Sequence, residues 1–335
     1  METRSPGIDE SAVTKWVVRE IDTADAPLGF DLITGGRSNL TYRVTDGGGR
    51  CWVLRRPPAG PVLPSAHDVT REARVLQVLQ RTPVPVPTVV AVCADPAVTG
   101  AEFYVMDHVE GIVLDSEADA AQLSPTARRA AAGSLVDTLA AIHDVDCAPL
   151  EGLRRPGSYV ERQLRRWMRQ FERSSSRCVP VIGEVHKLLS ARVPTERWTG
   201  LVHGDYRPGN AIFGGDGHVR AVLDWELCTV GDTLADIGWL TATWQVPDAV
   251  GWAPADDSGF GDAADLADRY AQRTGRDLSD LGFYQAFALW RLACIAEGVH
   301  SRYAAGSMGE QDVDLDQLAR RPAALALAAR EALRL

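Results

Sequence analysis

Two carboxylates and a carboxamide at short, fixed spacing are the residues of this chain best suited to chemistry. Asp205 and Asn210 lie in Leu201-Val-His-Gly-Asp-Tyr-Arg-Pro-Gly-Asn210, and Asp224 lies in Ala221-Val-Leu-Asp-Trp-Glu226. Moving the terminal phosphate of a nucleotide to a hydroxyl needs a metal ion to neutralise charge on the phosphates. It also needs a group that positions and deprotonates the nucleophile. Asp205 suits the second task, because a carboxylate in hydrogen-bond reach of the hydroxyl orients it and takes its proton, help typically worth about 10²–10⁴ in rate. Asn210 offers a neutral amide oxygen and Asp224 a charged one. Magnesium is a hard ion that takes such oxygens while keeping waters and phosphate oxygens in its shell.

Rigid elements must hold these groups. The apolar runs Leu201-Val202, Ala211 to Phe213 and Val219 to Leu223 read as short buried strands around them. Upstream, Phe30 to Thr34, Leu40 to Thr45 and Cys51 to Arg55 read as three antiparallel strands, joined by the turns Gly35-Gly-Arg-Ser-Asn39 and Asp46-Gly-Gly-Gly-Arg50. Val69, Ala73, Leu76 and Leu79 recur at helical spacing within Asp68 to Leu79. Pro83-Val-Pro-Val-Pro-Thr88 then forces an extended connection. Val89 to Cys93 and Phe103 to Val109 complete five strands, and Glu110-Gly111 breaks the pattern.

Beyond that break the periodicity is helical. Ser124 caps and Pro125 opens a helix that runs to His143, where a structural role is expected of the histidine. Further helical stretches are Tyr159 to Phe171, Val181 to Leu189, Asp262 to Tyr270, Phe283 to Tyr303 and Leu315 to Leu335. Arg162, Arg165, Arg166 and Arg169 share one face of the first of these, read as a solvated basic face.

His203-Gly-Asp205-Tyr-Arg-Pro-Gly-Asn210 resembles the catalytic loop of the aminoglycoside phosphotransferase-like kinases, itself a variant of the protein-kinase H-R-D-x-x-x-x-N. Asp224-Trp-Glu226 stands where protein kinases have D-F-G, and Gly231-Asp232-Thr-Leu-Ala-Asp236 follows. The resemblance implies an α+β, bilobal, protein-kinase-like fold. A nucleotide-binding lobe would cover residues 1–108, with a five-stranded antiparallel sheet plus a helix. A larger, mostly helical lobe would cover 109–335 and carry the catalytic loop and substrate site. It further implies Asp205 as base, Asn210 and Asp224 as Mg²⁺ ligands, and Arg207 in place of the catalytic-loop lysine, steadying the migrating phosphoryl group.

For the nucleotide, ATP or GTP, the resemblance implies phosphate contacts from Gly35, Gly36, Ser38 and Asn39. Backbone groups near Asp107 and Val109 would meet the base. Where protein kinases end their third strand in lysine this chain has Arg55-Arg56. Alternation favours Arg55 as the inward residue, with Glu72 as partner, and Arg56 as the outward one. Asp232 and Asp236 are expected to cap a helix and bond to the catalytic loop, His203 to orient that loop, and Glu226 to be a weak site residue.

Cys51 to Pro58, Leu63 to Asp68, Thr82 to Pro87 and Phe103 to Met106 are similar to the branch that includes the kinase-like part of certain acyl-CoA dehydrogenase fusion proteins. That similarity implies a hydroxy acid or hydroxyacyl thioester as acceptor, ahead of an aminoglycoside. A nucleotide-binding pseudokinase, acting as an interaction module, is the reading from another class, motivated by the missing lysine and the sparse glycine turn.

Composition bounds the rest. The chain has 335 residues, 45% hydrophobic and 24% charged, with a net charge of −10 that argues against nucleic acid as a partner. Six scattered cysteines without a C-x-x-C pair read as reduced thiols. The start has no apolar signal core and no run approaches the roughly 18 apolar residues of a spanning helix. A cytoplasmic monomer or homodimer, free of membrane partners, is the expectation.

Overall fold

The computed structural model describes residues 6–33, 39–58, 68–246, 252–255, 258–306 and 313–334. The chain divides into two compact units, Met1–Gly111 with Arg220–Glu226, and Ile112–Val219 with Leu227–Leu335.

The first unit opens with α1 (Glu10–Glu20), capped by Asp9, whose side chain accepts the Ala12 N–H. Strands β1 (Leu28–Leu32), β2 (Leu40–Asp46) and β3 (Cys51–Arg56) follow, then α2 (Val69–Leu79), β4 (Val89–Cys93) and β5 (Phe103–Asp107). They form one antiparallel sheet in the order β1-β2-β3-β5-β4. The Asp46 carboxylate closes the β2–β3 hairpin by accepting the N–H groups of Gly48 and Arg50. Five strands and α2 match the sequence expectation.

Helix α1 was not expected. Its Val13, Trp16 and Val17, at helical spacing, cover one face of the sheet, where Trp16 meets Phe103 edge-on with ring centroids 4.8 Å apart among Tyr42, Val44, Trp52, Leu54 and Val105. This cover corrects the reading of Arg56 as an outward residue. Arg55 and Arg56 do point to opposite faces, but the Arg56 face is packed, and its guanidinium is buried against the carbonyls of Pro57 and Thr99.

The second unit begins with β6 (Ile112–Val113), α3 (Glu117–Ala120), α4 (Pro125–His143), α5 (Tyr159–Ser174) and α6 (Pro180–Ser190). Next come β7 (Thr199–Val202), β8 (Ala211–Phe213) and β9 (Val219–Val222), the last carrying the chain into the Arg220–Glu226 segment of the first unit. The chain returns through β10 (Thr229–Asp232), α7 (Leu234–Trp244), α8 (Ala263–Thr274), α9 (Leu281–Ala304) and α10 (Leu315–Ala332). Strand β7 pairs antiparallel with β10 and β6 with β8, so the loop after β7 leaves from a fixed ribbon.

Helix α7 is buried along its whole length. Gly238 makes its packing on α9 feasible, since a Cβ there would stand 2.4 Å from that of Tyr284. All six cysteines are free thiols. Among the described residues no helix is long and apolar enough to cross a membrane.

Candidate active site

In the second unit the chain leaves β7 at Val202 and enters the loop His203 to Asn210, which α7 holds from below. Asp236 of α7 accepts the His203 N–H at 2.6 Å through one carboxylate oxygen and the Gly204 N–H at 2.9 Å through the other. Its first oxygen also lies 3.3 Å from His143 Nε2 at the end of α4. His143 Nδ1 and the Tyr270 hydroxyl are 2.6 Å apart, and Arg276 donates to that hydroxyl at 2.7 Å. Burial works against the Asp236 anion, but the hydrogen bond and charge of His143, with His203 and the Gly204 N–H, outweigh it and hold its carboxyl below the ordinary range. Burial pushes the His143 imidazole down despite Asp236.

The loop follows a path only glycine permits at one point. Gly204 has φ 88°, and a Cβ there would lie 3.1 Å from the Leu227 carbonyl oxygen. The Gly204 carbonyl accepts from Arg291 of α9 at 2.7 Å, and the next N–H, that of Asp205, donates to His203 Nδ1 at 3.2 Å. His203 therefore orients the loop through both its backbone and its ring.

Asn210 Nδ2 donates to the Asp205 carbonyl at 2.8 Å and to Asp205 Oδ2 at 3.0 Å, which leaves the Asn210 amide oxygen as an acceptor. The Asp205 side chain is 25% exposed, so a hydroxyl can reach it. Arg207 pairs with Asp115 at 3.1 Å, and its Nε lies 3.8 Å from Asp205 Oδ2. Gly209 gives the guanidinium its place: a Cβ there would be 2.0 Å from Arg207 Nη1. Asp115, absent from the sequence-predicted set, has no local signal beyond being a polar residue after a short strand.

The first unit carries a separate charge cluster. Asp224 sits after β9 with φ 63°, a left-handed conformation uncommon for a residue with a side chain and a form of strain that clusters at functional sites. Arg55 Nη2 donates to Asp224 Oδ1 at 2.7 Å, Arg55 Nε lies 3.0 Å from Glu72 Oε2, and Glu226 is 3.9 Å away. The Arg55–Glu72 approach is a charge contact without hydrogen-bond alignment. Glu72 Oε1 accepts the Trp225 N–H at 3.2 Å, tying α2 to the segment that presents Asp224.

Burial disfavours both members of the Arg55–Glu72 pair. For Arg55, the charges of Glu72, Tyr104 and Asp224 overcome it, and its pKa is raised. For Glu72, burial dominates the pull of Arg55 and pushes the carboxyl up to about 7.

The remaining sequence-predicted residues fall as follows. Gly35, Gly36 and Ser38 lie outside the described residues. Asn39 is buried, and its Nδ2 donates to Glu226 Oε2 at 3.4 Å. The Asp107 N–H is taken by the Thr88 carbonyl at 2.9 Å, whereas among the described residues Val109 makes no backbone hydrogen bond. Asp232 accepts from the Tyr284 hydroxyl, and burial raises its carboxyl to about 6 despite that bond.

Each of two residues, one in each unit, suits magnesium by its own chemistry. Asn210 keeps a hard amide oxygen while its nitrogen is engaged, and Asp224 offers a second oxygen beside the one paired to Arg55. Among the described residues, no group of three or more His, Cys, Asp or Glu is arranged to hold a metal. Magnesium in phosphoryl transfer takes few protein ligands and completes its shell from phosphate and water.

A model of the phosphotransferase enzyme family matches residues 30–284. A solved structure described as a putative aminoglycoside phosphotransferase from Ralstonia eutropha aligns with a TM-score of 0.81 at 32% identity, covering 97% of this chain and 98% of that one. A thermostable aminoglycoside phosphotransferase mutant, described in ternary complex with AMP-PNP and hygromycin B, shares the fold with a TM-score of 0.62 at 15% identity, covering 96% and 98%. Acyl-CoA dehydrogenase family member 10 of Mus musculus is 32% identical over 316 residues, which is 90% of this chain but 29% of that protein's length.

Proposed function

We propose, starting from a chain that belongs to the phosphotransferase enzyme family, that it moves the γ-phosphoryl group of ATP or GTP to the hydroxyl of a small molecule. The observation that carries this reading is the Asp205–Asn210 bond at 3.0 Å on a loop fixed by Asp236, because it aims a part-exposed carboxylate from a rigid support. In the step, the acceptor oxygen forms the new P–O bond, the bond from the γ-phosphorus to the β,γ-bridging oxygen breaks, and the acceptor proton passes to Asp205. The nucleoside diphosphate departs.

Arg207 would neutralise charge on the phosphoryl oxygens. Asp224 and Asn210 would hold Mg²⁺, which when bound supplies charge neutralisation on the phosphates. Gly35, Gly36, Ser38 and Asn39 are assigned to the phosphates, Arg55 with Glu72 to the same anion, and Asp107 and Val109 to the base. The backbone groups of Val109, which have no backbone partner among the described residues, support that last assignment. The AMP-PNP in the name of a same-fold relative supports a nucleotide donor.

For the acceptor we favour a hydroxy acid or hydroxyacyl-CoA, supported by the name of a relative that matches 90% of this chain. An aminoglycoside acceptor is the second reading, favoured by the description of the Ralstonia eutropha protein. Six free thiols support a reducing, cytoplasmic setting. The test is transfer from Mg-ATP and Mg-GTP across hydroxyacyl-CoAs, hydroxy acids, aminoglycosides and amino alcohols, read by product mass. A phosphorylated hydroxyacyl or hydroxy-acid product meets the proposal, and a phosphorylated aminoglycoside alone replaces its acceptor. Nucleotide binding without any product transfers the case to the pseudokinase reading.

A further inference from the structure

Arg291 is an anomaly by elementary electrostatics. It lies in the middle of α9 among apolar residues, is 7% exposed, and among the described residues no carboxylate lies within ion-pair distance of it. Its guanidinium carbon sits 4.3 Å from the ring centroid of Trp239 and 5.0 Å from that of Trp167, so two indole rings lie against the charge. Among the described residues its Nε has no acceptor, and neither do the indole N–H groups of Trp167 and Trp239. A position that served packing alone would be filled at less cost by an apolar side chain, because a buried charge needs compensation that a hydrocarbon does not.

What the arginine does make is one short hydrogen bond, from Nη1 to the Gly204 carbonyl at 2.7 Å. That carbonyl and the Asp205 N–H belong to a single planar peptide unit. The plane is therefore pinned at both edges, by Arg291 on its oxygen and by His203 Nδ1 on its nitrogen at 3.2 Å. It is also the plane most in need of support. Gly204, at φ 88°, has a wider choice of torsions than other residues, and rotation of this unit swings the Asp205 side chain.

We infer that Arg291 is a positioning residue of the catalytic loop: held against Trp167 and Trp239, it fixes the Gly204–Asp205 peptide plane and so the aim of the Asp205 carboxylate. The inference rests on the reading of Asp205 as proton acceptor, so its test carries that reading as a separate arm.

The experiment compares wild type, Asp205→Asn, Arg291→Met, Arg291→Lys and the double variant Asp205→Asn with Arg291→Met. The common readout is labelled phosphoryl transfer from Mg-ATP, to the acceptor found by mass or, in its absence, to water. KM for Mg-ATP and the thermal midpoint are measured alongside. Arg291→Met is expected to lose on the order of 10²-fold in kcat, the scale of a misplaced catalytic group. KM for the nucleotide stays near wild type and the thermal midpoint is unchanged or raised, since methionine removes a buried charge. Arg291→Lys, which keeps a donor, recovers part of the loss. In the Asp205→Asn background Arg291→Met causes no further loss, because the two act through one group.

An activity loss that tracks the unfolded fraction, or an equal loss in both backgrounds, overturns the inference. So does an impaired Asp205→Asn beside a fully active Arg291→Met. If Asp205→Asn matches wild type, the proton-acceptor reading has failed, and the inference falls with it.

Discussion

The carboxylate of Asp236 receives the backbone N–H of His203 at 2.6 Å, placing a buried anion of α7 directly under the loop that presents Asp205. Three donors share this carboxylate, and asparagine, with one carbonyl oxygen and an NH₂ group, cannot accept them all. Asp236→Asn is expected to lower stability at pH 7 by about 3 kcal/mol, the lower end for breaking a buried charged network.

The pH dependence of that loss follows from the depressed Asp236 carboxyl. A group whose folded value lies below its ordinary 3.8 contributes stability above 3.8 and loses it as pH falls through the folded value. The gap between wild type and Asp236→Asn in urea denaturation should thus be full at pH 7 and smaller near pH 3. An equal gap at both pH values contradicts the network.

Glu72 has the opposite sign. Its folded carboxyl is raised to about 7 from 4.5, so between those values the folded chain holds a proton that the unfolded chain has released. Its contribution is complete below 4.5 and is lost as pH rises through about 7. Glu72→Gln, which does not titrate, is expected to show a flatter stability profile than wild type from pH 4.5 to pH 7, read from urea midpoints. Parallel profiles would show that Glu72 stays ionised beside Arg55 throughout.

Gly209 offers a route to Arg207 that leaves the arginine in place. A methyl group would lie 2.0 Å from Arg207 Nη1 and 2.8 Å from Asp115 Oδ1, so the guanidinium must move away. Gly209→Ala is expected to lower kcat by about 10²-fold, the scale for losing one stabilising donor, with KM for nucleotide and the thermal midpoint near wild type. Arg207→Ala should match it. Wild-type kcat in both variants would remove Arg207 from the phosphoryl group.

Much of this was legible in the sequence because the signals are local. The cap Ser124 with Pro125, the proline run before β4 and the loop His203 to Asn210 each encode their geometry within a few residues. Helix α1 is equally local in its signal: Asp9 as cap with Val13, Trp16 and Val17 behind it carries the needed periodicity. Without that helix Arg56 reads as outward, since strand alternation gives opposite faces but says nothing of what covers each.

Arg291, Asp115 and the partners of Asp236 are a different case. These contacts span 33 to 93 residues of sequence, a range at which a single chain carries no pairing signal. In the sequence Arg291 is one of two arginines in the helical stretch Phe283 to Tyr303, set in its apolar middle while Arg302 lies at its end. The left-handed torsion of Asp224 has no trace there, because the side chain does not reveal φ.

The most direct measurement is phosphoryl transfer from labelled Mg-ATP to the acceptor in wild type and Asp205→Asn at equal folded fraction and nucleotide saturation. A loss of about 10²–10⁴-fold in kcat with an unchanged KM for Mg-ATP is expected if Asp205 takes the acceptor proton. Transfer at the wild-type rate by Asp205→Asn would contradict that role outright.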